Sequence, residues 1–326
     1  MSLSPLRFEP LFKHNLWGGT ALRKLLNSPT ANDATSEATG EAWLLSDVDG
    51  SLSTIIEGPH AGKTLRDLLR THAREILGPA KLIDGRFPLL LKIIDAKQEL
   101  SVQVHPNDEQ ARAKNPTAAG KTEAWLVLDA NPATSRIYAG FKPGVTAADF
   151  RSALKSGTTP QTLHQFQPKP GDCVFLEAGT VHAIGADILM FEVQQTSDIT
   201  YRLYDWDRVE VKTGQPRELH IYDGLACSDF HKGPCNPVKP HRDGEREHLV
   251  ACDYFTLDRF TIHRPMPLGQ SGRCTLAVCI AGTGTLDDHT FTFGDTVLIP
   301  ASHGVASIVP QGTLTLLAIG LGSTPC

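Results

Sequence analysis

Two stretches of the sequence repeat one another without a gap: KPGDCVFLEAGTVHAI at residues 169–184 and TFGDTVLIPASHGVAS at residues 292–307. The Gly-Asp pair at 171–172 matches the pair at 294–295, and an apolar run follows the pair in both copies. Glycine and aspartate favour a tight turn, and the run after them has the length and composition of a short strand. The repeat therefore predicts two β-rich units of similar shape within one chain.

Short predicted strands fill most of the remaining sequence, separated by Gly, Pro, Asn and Asp. They lie at 41–47, 51–56, 87–94, 99–105, 123–129, 135–141, 172–177, 187–195, 254–263, 274–282, 295–301 and 313–320. Two helices interrupt them, at 64–77 and 146–157; each opens with a T-x-x-D capping box, and the second stops at Gly157. Together with the repeat, this pattern predicts a mainly β fold of two cupin-like jelly-roll barrels with a few inserted helices.

Residues 231–247, HKGPCNPVKPHRDGERE, are rich in proline, glycine and charge, which is typical of a linker. We therefore predict an N-terminal metal-binding cupin domain with helical insertions at 1–235 and a degenerate cupin-like domain at 236–326. The polar stretch at 27–40 is expected to form a mobile loop.

The composition excludes several classes of protein. The 326 residues include 31 Lys and Arg against 36 Asp and Glu, a formal charge of −5, and no basic stripe that would indicate nucleic-acid binding. No apolar stretch is long enough to span a membrane, and the first residues lack the apolar core of a signal peptide. The 7 cysteines include no C-x-x-C pair, which favours free thiols and a cytoplasmic location.

A candidate metal site begins at SVQVHPNDEQ, residues 101–110, where Gln103 and His105 lie two apart on a predicted strand and so point to the same face. In a barrel they would meet Glu123 from the next strand and His182 from a later one. Two histidines and a carboxylate suit zinc or a similar divalent ion, and glutamine adds a neutral oxygen. Either histidine alone would more often be a hydrogen-bonded core residue. In the second repeat Val305 stands opposite His182, so no metal is expected there.

Several motifs resemble the type I mannose-6-phosphate isomerase (phosphomannose isomerase) family, in its short bacterial branch. These motifs are LWGG, GEAWLLSD, FPLLLKIIDAKQELSVQVHPND, GKTEAWLVL, EAGTVHAIG, EVQQTSDITYRLYDWDR and RELHIYDGL. The resemblance implies one Zn²⁺ per chain, bound by Gln103, His105, Glu123 and His182. It also implies that the enzyme interconverts mannose 6-phosphate and fructose 6-phosphate.

The resemblance further implicates Arg202 in the reaction. Considered from the residues alone, Arg202 could instead form a surface ion pair with Asp198, Asp205 or Asp207. Arg208 is a weaker candidate for a cation that faces the substrate.

The implied reaction moves a proton between C1 and C2 through a cis-enediol, so charge develops on O1 and O2. A metal and Arg202 would stabilise that charge, and a general base must reach the carbon-bound proton. Glu192 and Lys121 are both candidates for this base. Glu192 and Arg202 lie an even number of residues apart, so an unbulged strand would place them on one face; Lys121, two residues before Glu123, is expected on the same side as Glu123.

Two other functions remain open from the sequence. One is a different cupin metalloenzyme, such as an Fe(II) oxygenase that uses two histidines and a carboxylate. The other is a sugar-binding cupin without catalytic activity. In each case the expected partner is a small molecule, with neither nucleic acid nor membrane involved.

Overall fold

A computed structural model describes residues 2–26, 38–210 and 214–322. Most of the loop predicted at 27–40 and the last cysteine, Cys326, lie outside these residues. The first half of the chain contains strands β1 (Leu6–Arg7), β2 (Leu11–Gly19), β3 (Thr39–Leu45), β4 (Asp47–Val48), β5 (Ser51–Leu52), β6 (Leu89–Ala96), β7 (Val102–Val104), β8 (Glu123–Ala130), β9 (Ile137–Phe141), β10 (Leu163–Phe166), β11 (Cys173–Leu176), β12 (His182–Ile184), β13 (Ile188–Gln195) and β14 (Tyr201–Tyr204). The second half contains strands β15 (His241–Asp243), β16 (Arg246–Ala251), β17 (Phe255–Ile262), β18 (Met266–Gly269), β19 (Thr275–Ala281), β20 (Thr283–Leu286), β21 (His289–Thr292), β22 (Thr296–Ile299), β23 (Val305–Pro310) and β24 (Leu314–Leu321).

Short helices connect some of these strands. They are α1 (Leu22–Leu25), α2 (Leu65–Leu77), α3 (Asp108–Lys114), α4 (Ala147–Ser156) and α5 (Ile221–Cys227), with single 3₁₀ turns at Gly58–His60 and Thr159–Thr162. The described residues contain no helix that is long and apolar enough to cross a membrane. The prediction of a mainly β chain is confirmed.

The strands form four main sheets that stack as layers. In the N-terminal part a six-stranded sheet, β11-β8-β13-β6-β2-β3, faces a five-stranded sheet, β10-β9-β12-β7-β14. In the C-terminal part a seven-stranded sheet, β1-β22-β19-β24-β17-β16-β15, faces a four-stranded sheet, β18-β23-β20-β21. One apolar cluster, which includes Phe191, Leu126, Leu276 and Leu317, joins the two largest sheets. Burial of this shared core holds the two halves together.

The two halves repeat one order of strands. The strands β11-β8-β13-β6 of the N-terminal half correspond in order to β22-β19-β24-β17 of the C-terminal half. In the same way, β10-β9-β12-β7 correspond to β21-β20-β23-β18. The repeated turns are also alike, because the backbone N–H of Lys169 donates to Asp172 Oδ2 at 2.8 Å and that of Thr292 donates to Asp295 Oδ2 at 2.7 Å. The similarity predicted from the two sequence copies is therefore present in the backbone.

The two predicted helices are confirmed within one residue at each end. Thr64 caps α2 with a complete capping box to Asp67, and Thr146 caps α4 in the same way. Helix α4 ends at Gly157, which has the left-handed conformation with φ of 70° that glycine adopts at low cost. Helix α4 packs Phe150 against an apolar cluster on the outer face of the five-stranded sheet.

Other features differ from the predictions. The strand predicted at 51–56 is reduced to β5, because the following residues form only isolated bridges to neighbouring segments. The linker predicted at 231–247 contains β15 and the start of β16, which Gly244 joins with φ of 61°. Strand β1 pairs with β22, so the N-terminal residues belong to the sheet of the C-terminal half. The predicted boundary near residue 235 remains a prediction.

Candidate active site

The candidate ligands lie between the two facing sheets of the N-terminal half. Gln103 is in the middle of β7, and His105 follows its last residue. His182 opens β12 and is directly opposite Gln103 in the strand pairing. Glu123 opens β8 in the facing six-stranded sheet. Strand register therefore brings together all four side chains that the sequence selected.

Three of these side chains form a compact buried group. His105, Glu123 and His182 are each at most 1% exposed, and one potential ligand atom from each lies within 4.8 Å of the others. His105 Nε2 is 3.6 Å from Glu123 Oε2, and His182 Nε2 is 3.3 Å from Glu123 Oε1. Gln103 Nε2 lies 3.3 Å from His182 Nε2. The glutamine is thus adjacent to the group, as predicted.

Backbone carbonyls orient both imidazole rings. His105 Nδ1 is 2.8 Å from the carbonyl oxygen of Ile199, and His182 Nδ1 is 2.9 Å from that of Thr180. Because a carbonyl can only accept, these contacts assign the ring proton to Nδ1 and leave the lone pair on Nε2. Both lone pairs then point toward Glu123, an arrangement found in histidine ligands of metal sites.

The electrostatics of this group also favour a cation. Burial lowers the pKa of His182 to about 4 and lowers the pKa of His105 well below its usual range, so both rings stay neutral. Burial raises the pKa of Glu123 to about 7. Its two oxygens face His182 Nε2 at 3.3 Å and His105 Nε2 at 3.6 Å, and one of them also contacts the ammonium group of Lys121. A buried carboxylate beside two neutral imidazoles fits a divalent metal ion.

Lys121 and Glu192 flank the group. Lys121 Nζ is 2.6 Å from Glu123 Oε2 and 3.1 Å from His105 Nε2, so it lies on the side of Glu123 that the sequence predicted. Glu192 is held differently: Lys92 Nζ lies 3.2 Å from Oε1, and Trp125 Nε1 donates to Oε2 at 2.9 Å. Burial alone would raise the pKa of Glu192, but Lys121, Lys92 and the indole donor together lower it. Glu192 is therefore kept ionised.

Arg202 approaches from β14, in a different sheet from Glu192. The condition of an unbulged strand through both residues is not met, because the chain leaves the six-stranded sheet after Gln195 and enters the five-stranded sheet at Tyr201. Even so, Glu192 and Arg202 line the same cavity. Arg202 Nη1 donates to the carbonyl oxygen of Glu218 at 2.9 Å, while its Nε is buried and has no partner among the described residues.

The surface ion pair considered for Arg202 does not form in the described residues. Asp205 instead pairs with Arg208 and with Arg217, each at 2.5 Å. Arg208 is thus engaged with Asp205 and does not line the cavity, whereas Arg217 does. Burial and the neighbouring charge of Arg217 lower the pKa of Arg202.

Four of the predicted residues, Gln103, Lys121, Glu192 and Arg202, line a cavity of about 320 Å³. Beyond the predicted residues, its lining includes Asn15, Trp17, Glu41, Lys92, Ser101, Asp198 and Arg217. Of these residues, Lys92 is the easiest to recognise from the sequence. It interrupts the apolar run FPLLLKIIDA, and a buried lysine requires a partner. That partner is a pair of carboxylates, since Lys92 Nζ also lies 3.7 Å from Glu41 Oε2.

Comparison with known proteins identifies the family. Residues 6–130 match the family model "Phosphomannose isomerase type I, catalytic domain", and residues 245–319 match "Mannose-6-phosphate isomerase, cupin domain". The mannose-6-phosphate isomerase ManA of Bacillus subtilis is 35% identical over 311 residues, which cover 93% of this chain and 95% of that protein. The chain belongs to the type I phosphomannose isomerase family. It is therefore an enzyme, and the resemblance found in the sequence motifs is confirmed.

Other relatives of this family agree. A mannose-6-phosphate isomerase of Streptococcus mutans is 34% identical and matches 95% of this chain and 98% of its own length. Among solved structures, the mannose 6-phosphate isomerase from Bacillus subtilis superposes with a TM-score of 0.86 at 32% identity, covering 97% of this chain and 99% of that chain. The phosphomannose isomerase family likeness thus spans both halves of the molecule.

Proposed function

We propose that the protein interconverts mannose 6-phosphate and fructose 6-phosphate in the cavity beside His105, Glu123 and His182. One observation carries the proposal: a buried, metal-compatible group contacts Gln103 and Lys121, which line the same cavity as an ionised carboxylate, Glu192, and a guanidinium, Arg202. An aldose–ketose isomerisation needs an electrophile near the sugar oxygens and a base near the carbon-bound proton. The cavity offers both.

We propose Zn²⁺, one per chain, as the resident metal, with His105, Glu123 and His182 as ligands and Gln103 beside them. Neutral imidazole and carboxylate suit this ion. When bound, the metal would supply a Lewis acid that polarises the oxygens at C1 and C2 of the sugar.

Glu192 is the proposed general base. The carboxylate would take the proton from C2 of open-chain mannose 6-phosphate; the electron pair of the broken C–H bond would form a C1=C2 double bond, and the C1=O π pair would move to O1, which gains a proton. The cis-enediol would then receive the proton from Glu192 at C1 as the C2=O bond forms and O2 loses its proton, which balances the proton gained by O1 and gives fructose 6-phosphate. The lowered pKa of Glu192 keeps it ready to accept a proton. Lys121 is the weaker candidate, because its ammonium group already lies 2.6 Å from Glu123.

Arg202 is the proposed donor to the enediol oxygens. Its buried Nε lacks a partner in the described part of the chain, so the guanidinium has donor capacity left for a ligand. Together with Arg217 it also makes this side of the cavity positive, which suits a sugar phosphate.

The repeated strand order supports two jelly-roll barrels, the first at 1–235 and the second at 236–326, as a proposal for the architecture. In this arrangement only the first barrel performs chemistry. The matching positions of the second barrel carry no metal-binding set, since Val305 replaces His182.

A coupled assay with fructose 6-phosphate tests the proposed function. We expect turnover to mannose 6-phosphate by the metal-loaded protein, without any requirement for dioxygen. Turnover that depends on dioxygen would indicate the oxygenase alternative, and binding of the sugar phosphate without turnover would indicate a sugar-binding protein.

A further inference from the structure

A second cavity, of about 610 Å³, lies in the C-terminal half. The two sequence repeats align His182 with Val305, and the strand pairings extend this alignment to the neighbouring strands. For example, Cys173 pairs with Leu126 as Thr296 pairs with Val278, which makes Glu123 equivalent to Thr275.

The residue pairings between the other neighbouring strands extend this equivalence to more positions around the two cavities. The equivalent residues are Glu41 and Arg246, Lys92 and Asp258, Gln103 and Gly269, Lys121 and Arg273, Glu123 and Thr275, and Glu192 and Ala318. Every second member of these pairs lines the C-terminal cavity. This cavity is therefore the counterpart of the active site in the second repeat.

The counterpart has lost the groups that the proposed chemistry requires. Gly269, Thr275 and Val305 replace three of the metal-binding side chains, and Ala318 replaces the carboxylate of Glu192. No metal-binding group of three His, Cys, Asp or Glu residues is found there within the described ranges. The cavity therefore lacks the groups that isomerisation by the same route would need.

The charges of the counterpart have been rearranged rather than lost. Arg273 is a cation at the position of Lys121. Arg246 and Asp258 form an ion pair at the positions of Glu41 and Lys92, with the two charges exchanged. Asp258 is largely neutralised, because Arg246 Nη2 and His248 Nδ1 each lie 2.8 Å from one of its oxygens. The cavity therefore carries two guanidinium groups against one carboxylate and is positive.

Arg246 retains donor capacity beside this cavity. Its Nε is buried without a hydrogen-bond partner in the part of the chain that the structure describes. Thr256 and Thr275 add hydroxyl groups to the lining, and Phe260 and Met266 add an apolar wall. Guanidinium groups bind phosphate through paired N–H donors, while apolar walls suit the C–H faces of a sugar.

We propose that the C-terminal cavity is a second, non-catalytic binding site for a phosphate dianion, either free phosphate or the phosphate of a sugar phosphate. Arg273 and Arg246 are its anion-binding groups. The inference goes beyond the proposed isomerase activity, because it concerns a site without the metal-binding set.

Equilibrium dialysis of the metal-loaded, full-length protein tests this proposal, with inorganic phosphate and mannose 6-phosphate as separate probes. We expect mannose 6-phosphate to occupy two sites per chain. Arg273→Gln should weaken one of them by roughly tenfold, as expected for the loss of one charge-assisted hydrogen bond. Thr275→Asp should weaken the same site through repulsion of the anion.

Arg242→Gln is the matched control, because the Arg242 side chain is 78% exposed and does not line this cavity. It should leave both sites unchanged. Tighter binding of mannose 6-phosphate than of phosphate at the second site would assign the sugar phosphate as its ligand, and equal binding would assign free phosphate. A single site per chain for both probes, or unchanged isotherms in folded Arg273→Gln and Thr275→Asp proteins, would overturn the proposal. Turnover measured in the same samples reports on the first site independently.

Discussion

Two buried carboxylates, Glu123 and Glu192, lie in the same region and have different surroundings. Glu123 faces the two imidazoles and the ammonium group of Lys121, and burial raises its pKa to about 7. Glu192 receives the indole N–H of Trp125 and the ammonium of Lys92, which together with Lys121 lower its pKa. Environments that push two pKa values apart commonly assign two different roles. The roles that we propose here are a metal ligand for Glu123 and a base for Glu192.

Replacement of Glu192 by glutamine tests its assignment as the base, because only one carboxylate oxygen is changed. Glu192→Gln keeps the shape and the contact with Trp125 but cannot accept the proton, so we expect kcat to fall by roughly 10²–10⁴-fold. Metal content, measured by elemental analysis, should remain that of the parent protein. Glu177→Gln, at a side chain that is 60% exposed, is the matched control and should retain turnover. Normal turnover by a folded Glu192→Gln protein would transfer the role of base to another group.

Arg202 should act on the transition state rather than on ground-state binding. Arg202→Ala should lower kcat by roughly 10²–10³-fold, the usual effect of losing one preorganised donor, with a much smaller change in KM. Arg202→Lys restores the charge but not the planar pair of donors, so we expect partial recovery. Steady-state kinetics on metal-loaded proteins provide the measurement, with the exposed Arg242→Ala as the control. An unchanged kcat in Arg202→Ala would remove Arg202 from the mechanism.

At the scale of elements, equivalent strands differ in whether they begin with a candidate metal ligand. Strand β12 begins with His182, which is 1% exposed, whereas its counterpart β23 begins with Val305, which is 49% exposed. The nearby His303 lies in the preceding turn and pairs with Asp287 at 3.1 Å.

This difference predicts opposite results for two histidine substitutions. His182→Ala should abolish stoichiometric metal binding, while His303→Ala should leave metal content and turnover unchanged and cost about 0–1 kcal/mol of stability as a surface pair. Metal analysis and thermal unfolding of both proteins provide the test. Loss of metal from folded His303→Ala protein would contradict the assignment of the metal to the first half.

Local signals explain which elements the sequence could predict. The caps Thr64 and Thr146 and the stop at Gly157 act within a few residues, so α2 and α4 were predicted almost to the residue. Strands such as β2 and β14 are not predicted, because they are formed by pairing with strands distant in the chain. Their own sequences do not show a clear alternation of apolar and polar residues.

The same distinction applies to the site. Strand spacing and family motifs selected Gln103, His105, Glu123 and His182, and strand register brings them together. Arg217 opens the family motif RELHIYDGL, but strand spacing does not mark it, because it reaches the cavity through tertiary packing around Asp205.

At the scale of the molecule, a chain of hydrogen bonds connects the C-terminal half to the site. Tyr254, between β16 and β17, donates to Asp108 Oδ2 at 3.1 Å. Asp108 Oδ1 accepts from the backbone N–H of Gly120 at 2.7 Å and from Gln195 Nε2 at 3.1 Å. Gln195 Oε1 in turn accepts from the backbone N–H of Thr122 at 2.8 Å, between Lys121 and Glu123.

Removal of one hydroxyl group should therefore affect both stability and catalysis. Tyr254→Phe should lower the free energy of unfolding by about 1 kcal/mol, the usual net contribution of one hydrogen bond. It should also reduce kcat several-fold with little change in KM, because the segment that carries Lys121 loses a support. Tyr222→Phe, at a tyrosine that is 86% exposed, is the control and should change neither quantity. Equal kcat in the two folded variants would show that the connection only stabilises the fold.

The most direct test of the central claim is to measure turnover of fructose 6-phosphate against metal occupancy in one preparation. The protein is stripped with a chelator and then titrated with Zn²⁺. If His105, Glu123 and His182 hold the ion that the reaction requires, turnover should be absent in the stripped protein, rise in proportion to bound metal and saturate at one ion per chain. Full turnover by protein that contains no divalent metal would contradict the account.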